Sequence, residues 1–135
     1  MEAGIQELLE RAKAAQANAY APYSKFPVGA AVRDDRGRIF AGCNVENASF
    51  GVTICAERNA IFHMVAAGGK RIGEILIVGE TDQPLPPCGA CRQVIAEFAG
   101  GDARVHMVNR AGEVTTATLD ELLPFRFHLD DPSRP

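Results

Sequence analysis

Cys55-Ala56-Glu57-Arg58 and Pro87-Cys88-Gly89-Ala90-Cys91-Arg92 stand on either side of Ile75-Leu76-Ile77-Val78. The middle run is continuously apolar, the pattern of a strand covered on both faces. Each flanking segment leads into helical spacing. Ala60, Ile61, Met64 and Val65 recur over about residues 56–67, and Val94, Ile95 and Phe98 over about residues 91–98. A sheet with helices on both sides is the expected α/β architecture. Cys55 and Cys88 both fall where a helix opens, and the positive end of the helix macrodipole favours a thiolate there.

Three cysteines suit a zinc ion. Zinc takes a tetrahedral set of thiolate and imidazole ligands, and a catalytic site keeps one corner for water, leaving three to the protein. Cys88 and Cys91 lie three apart and share a helix face, and Cys55 joins them from elsewhere. Glu57, two residues beyond the lone ligand, is held near the metal without needing to bind it, so it can move protons. Two other readings compete. A closed structural site would recruit Cys43, His63, His106 or His128 as a fourth ligand. A redox dithiol at Cys88 and Cys91 would leave the Cys55-to-Glu57 spacing unexplained. Three thiolates and one zinc carry a net charge of about -1, which Arg58 or Arg92 would offset.

Upstream, Ile5, Leu8, Leu9 and Ala12 predict an amphipathic helix over about residues 4–19, stopped at Ala21-Pro22-Tyr23-Ser24. Pro27 to Arg33 and Arg38 to Gly42 read as a hairpin around Asp34-Asp35-Arg36-Gly37. Asn44 to Phe50 is a polar loop leading toward Cys55. Gly68-Gly69 ends the second helix, Pro84, Pro86 and Pro87 keep the next connection irregular, and Gly100-Gly101 stops the third. Arg104 to Val108 and Glu113 to Thr116 read as paired strands, and Thr118 with Glu121 forms a capping box.

The 135 residues suit one domain, over residues 1–130, with 131–135 as a flexible tail. Lys and Arg total 14 against 17 Asp and Glu, for a net charge of -3. With those cations scattered, a nucleic-acid partner is disfavoured and a small substrate expected. No apolar run reaches membrane-spanning length and the N-terminus has no export signal, so a cytoplasmic, reducing location without membrane association is expected. Four cysteines then indicate metal chemistry rather than disulfides.

Five stretches, the two cysteine segments among them, carry a family resemblance. They are Ala21 to Ala31, Gly42 to Phe50, Cys55 to Arg58, Pro87 to Gln93 and Glu121-Leu122-Leu123-Pro124. Together they make the chain similar to the small, homotetrameric type of cytidine deaminase. The Cys-x-Glu and Pro-Cys-x-x-Cys segments are the grammar of zinc nucleobase deaminases. The resemblance implies a three-layer α/β/α sandwich with a five-stranded mixed sheet. It also implies hydrolysis of cytidine and 2′-deoxycytidine for pyrimidine salvage, with Zn2+ on Cys55, Cys88 and Cys91 and Glu57 as proton carrier. Asn44 and Glu46 would hold the ribose hydroxyls, Phe26 would stack on the pyrimidine, and Ala56 would offer backbone groups to the base. Ala48 and Phe50 would lie near the 5′ end across a subunit boundary, and Phe127 would reach a neighbour's pocket, so active sites in the homotetramer would be shared.

Many relatives have tyrosine where this chain has Phe50, which removes one hydrogen bond at the 5′ end. Arg58 would hydrogen-bond a cysteine sulfur. Outside the resemblance, Phe26 and Phe127 read as ordinary packing residues, Asn44 to Phe50 as a polar turn, the histidines as structural or surface groups, and Cys43 as a small buried hydrophobe. An alternative enzyme is a deaminase of an aminopyrimidine nucleoside antibiotic such as blasticidin S. A noncatalytic zinc-stabilised module is the alternative outside enzymes.

Overall fold

The computed structural model describes residues 1–129, so the expected tail at 131–135 lies outside the described residues. Ten elements follow in chain order: α1 (Ala3–Gln16), β1 (Val28–Asp34), β2 (Ile39–Cys43), a 3-10 turn (Phe50–Val52), α2 (Ala56–Ala66), β3 (Ile72–Gly79), α3 (Gly89–Phe98), β4 (Ala99–Val108), β5 (Val114–Thr118) and α4 (Leu119–Leu122). The strands form one five-stranded sheet in the order β2-β1-β3-β4-β5. The β3–β4 pair is parallel, with α3 as its crossover, and the other pairs are antiparallel. The sheet is therefore mixed.

Alternation along the strands divides the core into two layers. On one face Ile5, Leu8, Leu9 and Ala12 of α1 pack on Ala31, Ile39, Leu76, Val78 and Val108. On the other, Ala56, Ala60, Ile61 and Met64 of α2 and Ile95 of α3 pack on Ala30, Val32, Ile75, Ile77, Val105 and Met107. Odd and even residues of β3 thus serve opposite faces, as a continuously apolar central strand requires. The three-layer α/β/α arrangement is the one the sequence implied.

Two boundaries differ from the sequence reading. α1 stops at Gln16 rather than near residue 19, because the Tyr20 amide leaves the helix pattern to bond the Asn44 carbonyl at 3.0 Å. Gly100 and Gly101 do not end a helix; they open β4, which begins at Ala99 directly after α3. A Cβ at Gly101 would stand 2.3 Å from the Asp120 carboxylate, so the glycine leaves room for that side chain rather than acting as a stop. The turn at Gly37 (φ 79°), the C-terminal end of α2 at Gly68 (φ 90°) and the Thr118–Glu121 capping box agree with the sequence signals.

The start of β1, the end of β2 and the end of β3 meet at one edge, where Gly29 pairs with Cys43 and Val28 with Gly79. α2 begins beyond the loop after β2, and α3 begins beyond the proline-rich loop after β3. Both helix starts therefore arrive at the same end of the sheet.

Candidate active site

Cys55 is the residue before the first turn of α2, and Cys88 stands in the same place before α3; both have extended backbones. Cys91 follows in the first turn of α3 and is fully buried, whereas Cys55 is half-buried and Cys88 exposed. The three Sγ atoms lie within 4.8 Å of one another, and those of Cys55 and Cys88 are 3.9 Å apart. Sulfurs on a tetrahedral zinc at about 2.3 Å stand about 3.8 Å apart. The cluster therefore has the donor type, number and spacing that zinc takes. Among the described residues this is the one group of three or more His, Cys, Asp or Glu side chains close enough to hold a metal.

Cys55 is drawn down to about 5 because Cys91 donates a hydrogen bond to it, burial opposes this, and Arg58 adds its own bond. Cys91 is pushed up because its proton is held by Cys55 and because it is buried. Arg58 Nη2 lies 3.5 Å from Cys55 Sγ and 3.5 Å from the Thr53 carbonyl. Arg92 is different: its Nε and Nη1 donate to the carbonyls of Pro87 (2.8 Å) and Leu122 (2.7 Å). These bonds tie two main-chain carbonyls together.

Glu57 is 5% exposed, on the inner face of the first turn of α2. Burial lifts its carboxyl above the usual range, helped by the negative charge at Cys55 and opposed by hydrogen bonding and Arg58. It lines a cavity of about 240 Å³ together with Phe26, Val28, Asn44, Thr53, Cys55, Ala56, Ile77, Leu85, Pro86 and Cys88. Phe26 and Leu85 come together there because residue 79 is glycine: a Cβ would lie 2.4 Å from Leu85 Cδ2 and 3.5 Å from Phe26 Cζ.

A second cavity of about 380 Å³ is lined by Tyr23, Ser24, Glu46, Phe50 and Thr53, and Thr53 borders both. Glu46 accepts the amides of Tyr23 (3.0 Å) and Ser24 (3.1 Å) and the Ser24 hydroxyl. Those bonds, the Ser24 hydroxyl first, hold its carboxyl below the usual range. Asn44 is buried; its Oδ1 accepts from the Val28 amide and its Nδ2 donates to the Phe26 carbonyl, both at 2.9 Å. An amide side chain has four hydrogen-bonding positions, so one acceptor and one donor position remain.

The remaining sequence candidates lie at different depths in the fold. Ala48 is exposed; Phe50 is 73% exposed and meets the Tyr23 ring edge-on, with centroids 5.9 Å apart. Phe127 is 69% exposed, and its carbonyl accepts from Gln93 at 3.1 Å. Ala56 is fully buried. Cys43 is half-buried, and His63 lies against the Phe40 ring. His106 is buried between Glu74 (2.7 Å) and Thr116 (2.8 Å). Cys43, His63 and His106 stand outside the three-thiol group. Sequence reasoning passed over Thr53 and Leu85, which carry no motif. Only their nearness to Cys55 and to the prolines before Cys88 could have drawn attention to them.

Residues 3–108 match the family model described as the cytidine and deoxycytidylate deaminase zinc-binding region. The chain belongs to that family. It is 44% identical to the cytidine deaminase of Sporosarcina psychrophila, over 96% of this chain and 95% of the relative. A crystal structure of cytidine deaminase from Burkholderia pseudomallei superposes with a TM-score of 0.87 at 47% identity, covering 94% of this chain and all of that one. The cytidine deaminase structure from Mycobacterium tuberculosis gives 0.81 at 38%, covering 95% and all of it. The family's zinc-binding region includes the Cys55, Cys88 and Cys91 cluster, which could hold a metal ion.

Proposed function

We propose that the protein hydrolyses cytidine and 2′-deoxycytidine to the corresponding uridines with release of ammonia. The observation that carries this reading is the buried Glu57 carboxyl opening into the same cavity as Cys55 and Cys88. The 44–47% identity to proteins named cytidine deaminase supports the substrate class.

A zinc ion held by Cys55, Cys88 and Cys91 would supply Lewis acidity, lowering the pKa of water to about 7. Glu57 takes the proton of the attacking water and delivers it to the ring nitrogen beside the amine-bearing carbon. It then takes the proton of the newly added hydroxyl and hands it to the departing amine, so the carbonyl forms as one water enters and one ammonia leaves. A carboxyl lifted by burial suits this work, because it accepts and returns a proton nearer neutral pH than an exposed glutamate does. Phe26 offers a flat apolar face to the pyrimidine, and Ala56 offers main-chain groups at the start of α2. Arg58 balances the thiolate charge.

Glu46, held anionic by Ser24 and Tyr23, accepts a sugar hydroxyl in the larger cavity. Asn44 uses its remaining acceptor and donor positions on the same edge. Ala48 and Phe50 border the 5′ end, and Phe127 enters a neighbour's site in a homotetramer. The 69–103% exposure of Phe125, Phe127 and Leu129 supports burial of this segment in an assembly. Residues 1–130 act as one domain, working in the cytoplasm without nucleic acid or membrane.

The test is ammonia release from cytidine and 2′-deoxycytidine by zinc-loaded protein. Turnover of both is expected; turnover of blasticidin S with neither nucleoside reverses the substrate assignment.

A further inference from the structure

The segment that delivers Cys88 has little regular structure of its own. Pro84, Pro86 and Pro87 donate no backbone hydrogen bonds, and Cys88 has no side-chain cap to fix it at the start of α3. What holds this approach is Arg92. Its amide bonds the Cys88 carbonyl at 2.9 Å as part of the helix, and its Nε bonds the buried Pro87 carbonyl at 2.8 Å. The same guanidinium reaches the Leu122 carbonyl, at the end of α4, at 2.7 Å through Nη1. The next residue, Gln93, holds the Phe127 carbonyl at 3.1 Å.

We infer that Arg92 is a positioning residue: it fixes the Pro87–Cys88 peptide, and through it the Cys88 thiol, and ties the metal-binding loop to the end of α4. The inference rests on the zinc reading of the three-thiol cluster. The planar fork of a guanidinium holds its donors at a fixed spacing that spans two carbonyls on separate segments, whereas an ammonium gathers its three donors on one compact, flexible head that does not hold that spacing. Cys88 is also the most exposed of the three ligands, so main-chain support replaces the packing that holds Cys91. Contacts that orient metal ligands are worth about 10- to 100-fold in metal affinity when removed.

The experiment compares zinc-loaded parent protein with Arg92→Ala and Arg92→Lys. Zinc content after purification and the rate of zinc release to a chromogenic chelator are measured well below each melting temperature. Arg92→Lys keeps the charge and stem and guards against outright loss of fold in Arg92→Ala. Ile5→Val, on the opposite face of the sheet, serves as a control for destabilisation alone. The expected result is zinc release about 10- to 100-fold faster in both Arg92 variants and unchanged in Ile5→Val. If a folded Arg92 variant melts lower yet holds zinc as long as the parent, Arg92 only braces the fold and the inference is overturned. A parent protein that binds no zinc would instead overturn the metal reading itself.

Discussion

Gly42 is where the sheet meets the helix that carries the site. A Cβ added there would stand 2.4 Å from the Ala60 amide nitrogen, 2.8 Å from the Asn59 carbonyl carbon and 2.9 Å from the Ala56 carbonyl oxygen. All three are backbone atoms of α2, so no side-chain rotation relieves the contact. Restoring an ordinary separation of about 3.4 Å moves α2 outward by about 1 Å. Overpacking of this kind costs about 1–3 kcal/mol. Spread over 135 residues at about 2.1 cal/mol/K each, that lowers the melting temperature by about 4–10 °C. The displacement also carries Cys55 and Glu57 away from Cys88 and Cys91, and a misplacement of about 1 Å costs about 100-fold in turnover. Gly42→Ala should therefore lose both stability and kcat/KM. Gly29→Ala is the matched control, because its Cβ would meet the Ala12 carbonyl oxygen of α1 at 2.1 Å, on the face away from the cysteines. It should melt at least as low while its zinc-loaded kcat/KM changes little. Calorimetry and steady-state kinetics on the two variants decide the matter. An unchanged Gly42→Ala, or a Gly29→Ala that loses turnover as steeply, would refute the idea that the β2–α2 contact sets the site.

Glu57→Gln should retain one zinc per chain and its melting temperature while turnover falls about 100- to 10,000-fold; metal analysis beside an ammonia assay reads both, and near-normal turnover would contradict the proton-carrier role. Chelation should abolish activity and readdition of zinc restore it, whereas Cys43→Ser should leave zinc content and turnover unchanged; loss of metal in that variant would make Cys43 a ligand. Asp34 is buried in the β1–β2 turn, accepting from the Arg36 and Arg38 amides at 3.0 and 2.8 Å and from Arg38 Nε at 2.9 Å. Burial opposes its charge, but these bonds outweigh it and hold the carboxyl below the usual range. Its folded value lies below the unfolded value of about 3.9, so the stabilisation is complete above that pH and is lost as pH falls through the folded value. Asp34→Ala should cost about 2–3 kcal/mol at neutral pH, a deficit that shrinks in urea titrations below about pH 4; a gap that is the same at both ends contradicts the linkage.

Periodicity made the central layer legible. Ile72 to Gly79 is a buried strand because each face has its own apolar partner, and the Thr118–Glu121 box closes by purely local chemistry. The metal cluster was legible too, because two residues between Cys88 and Cys91 fix a shared helix face whatever the rest of the chain does. Gly100-Gly101 misled because a glycine pair looks the same whether it ends a helix or makes room for a neighbour, here Arg71 and Asp120. The bonds of Arg92 lay beyond the sequence for a related reason: charge and nearness to cysteine say nothing of two carbonyls, one of them 30 positions away. The family resemblance points to Asn44 and Glu46 as sugar-holding residues, but their internal bonds to Val28, Phe26, Tyr23 and Ser24 require the folded chain. Those bonds decide which lone pairs and protons remain for a ligand.

The most direct single measurement is a crystal structure of the zinc-loaded protein with uridine bound. It should hold one ion on Cys55, Cys88 and Cys91 with no further side chain on the metal, and the Glu57 carboxyl within hydrogen-bonding reach of the pyrimidine. A fourth amino-acid ligand on the zinc, or a uridine seated away from Glu57, would contradict the account.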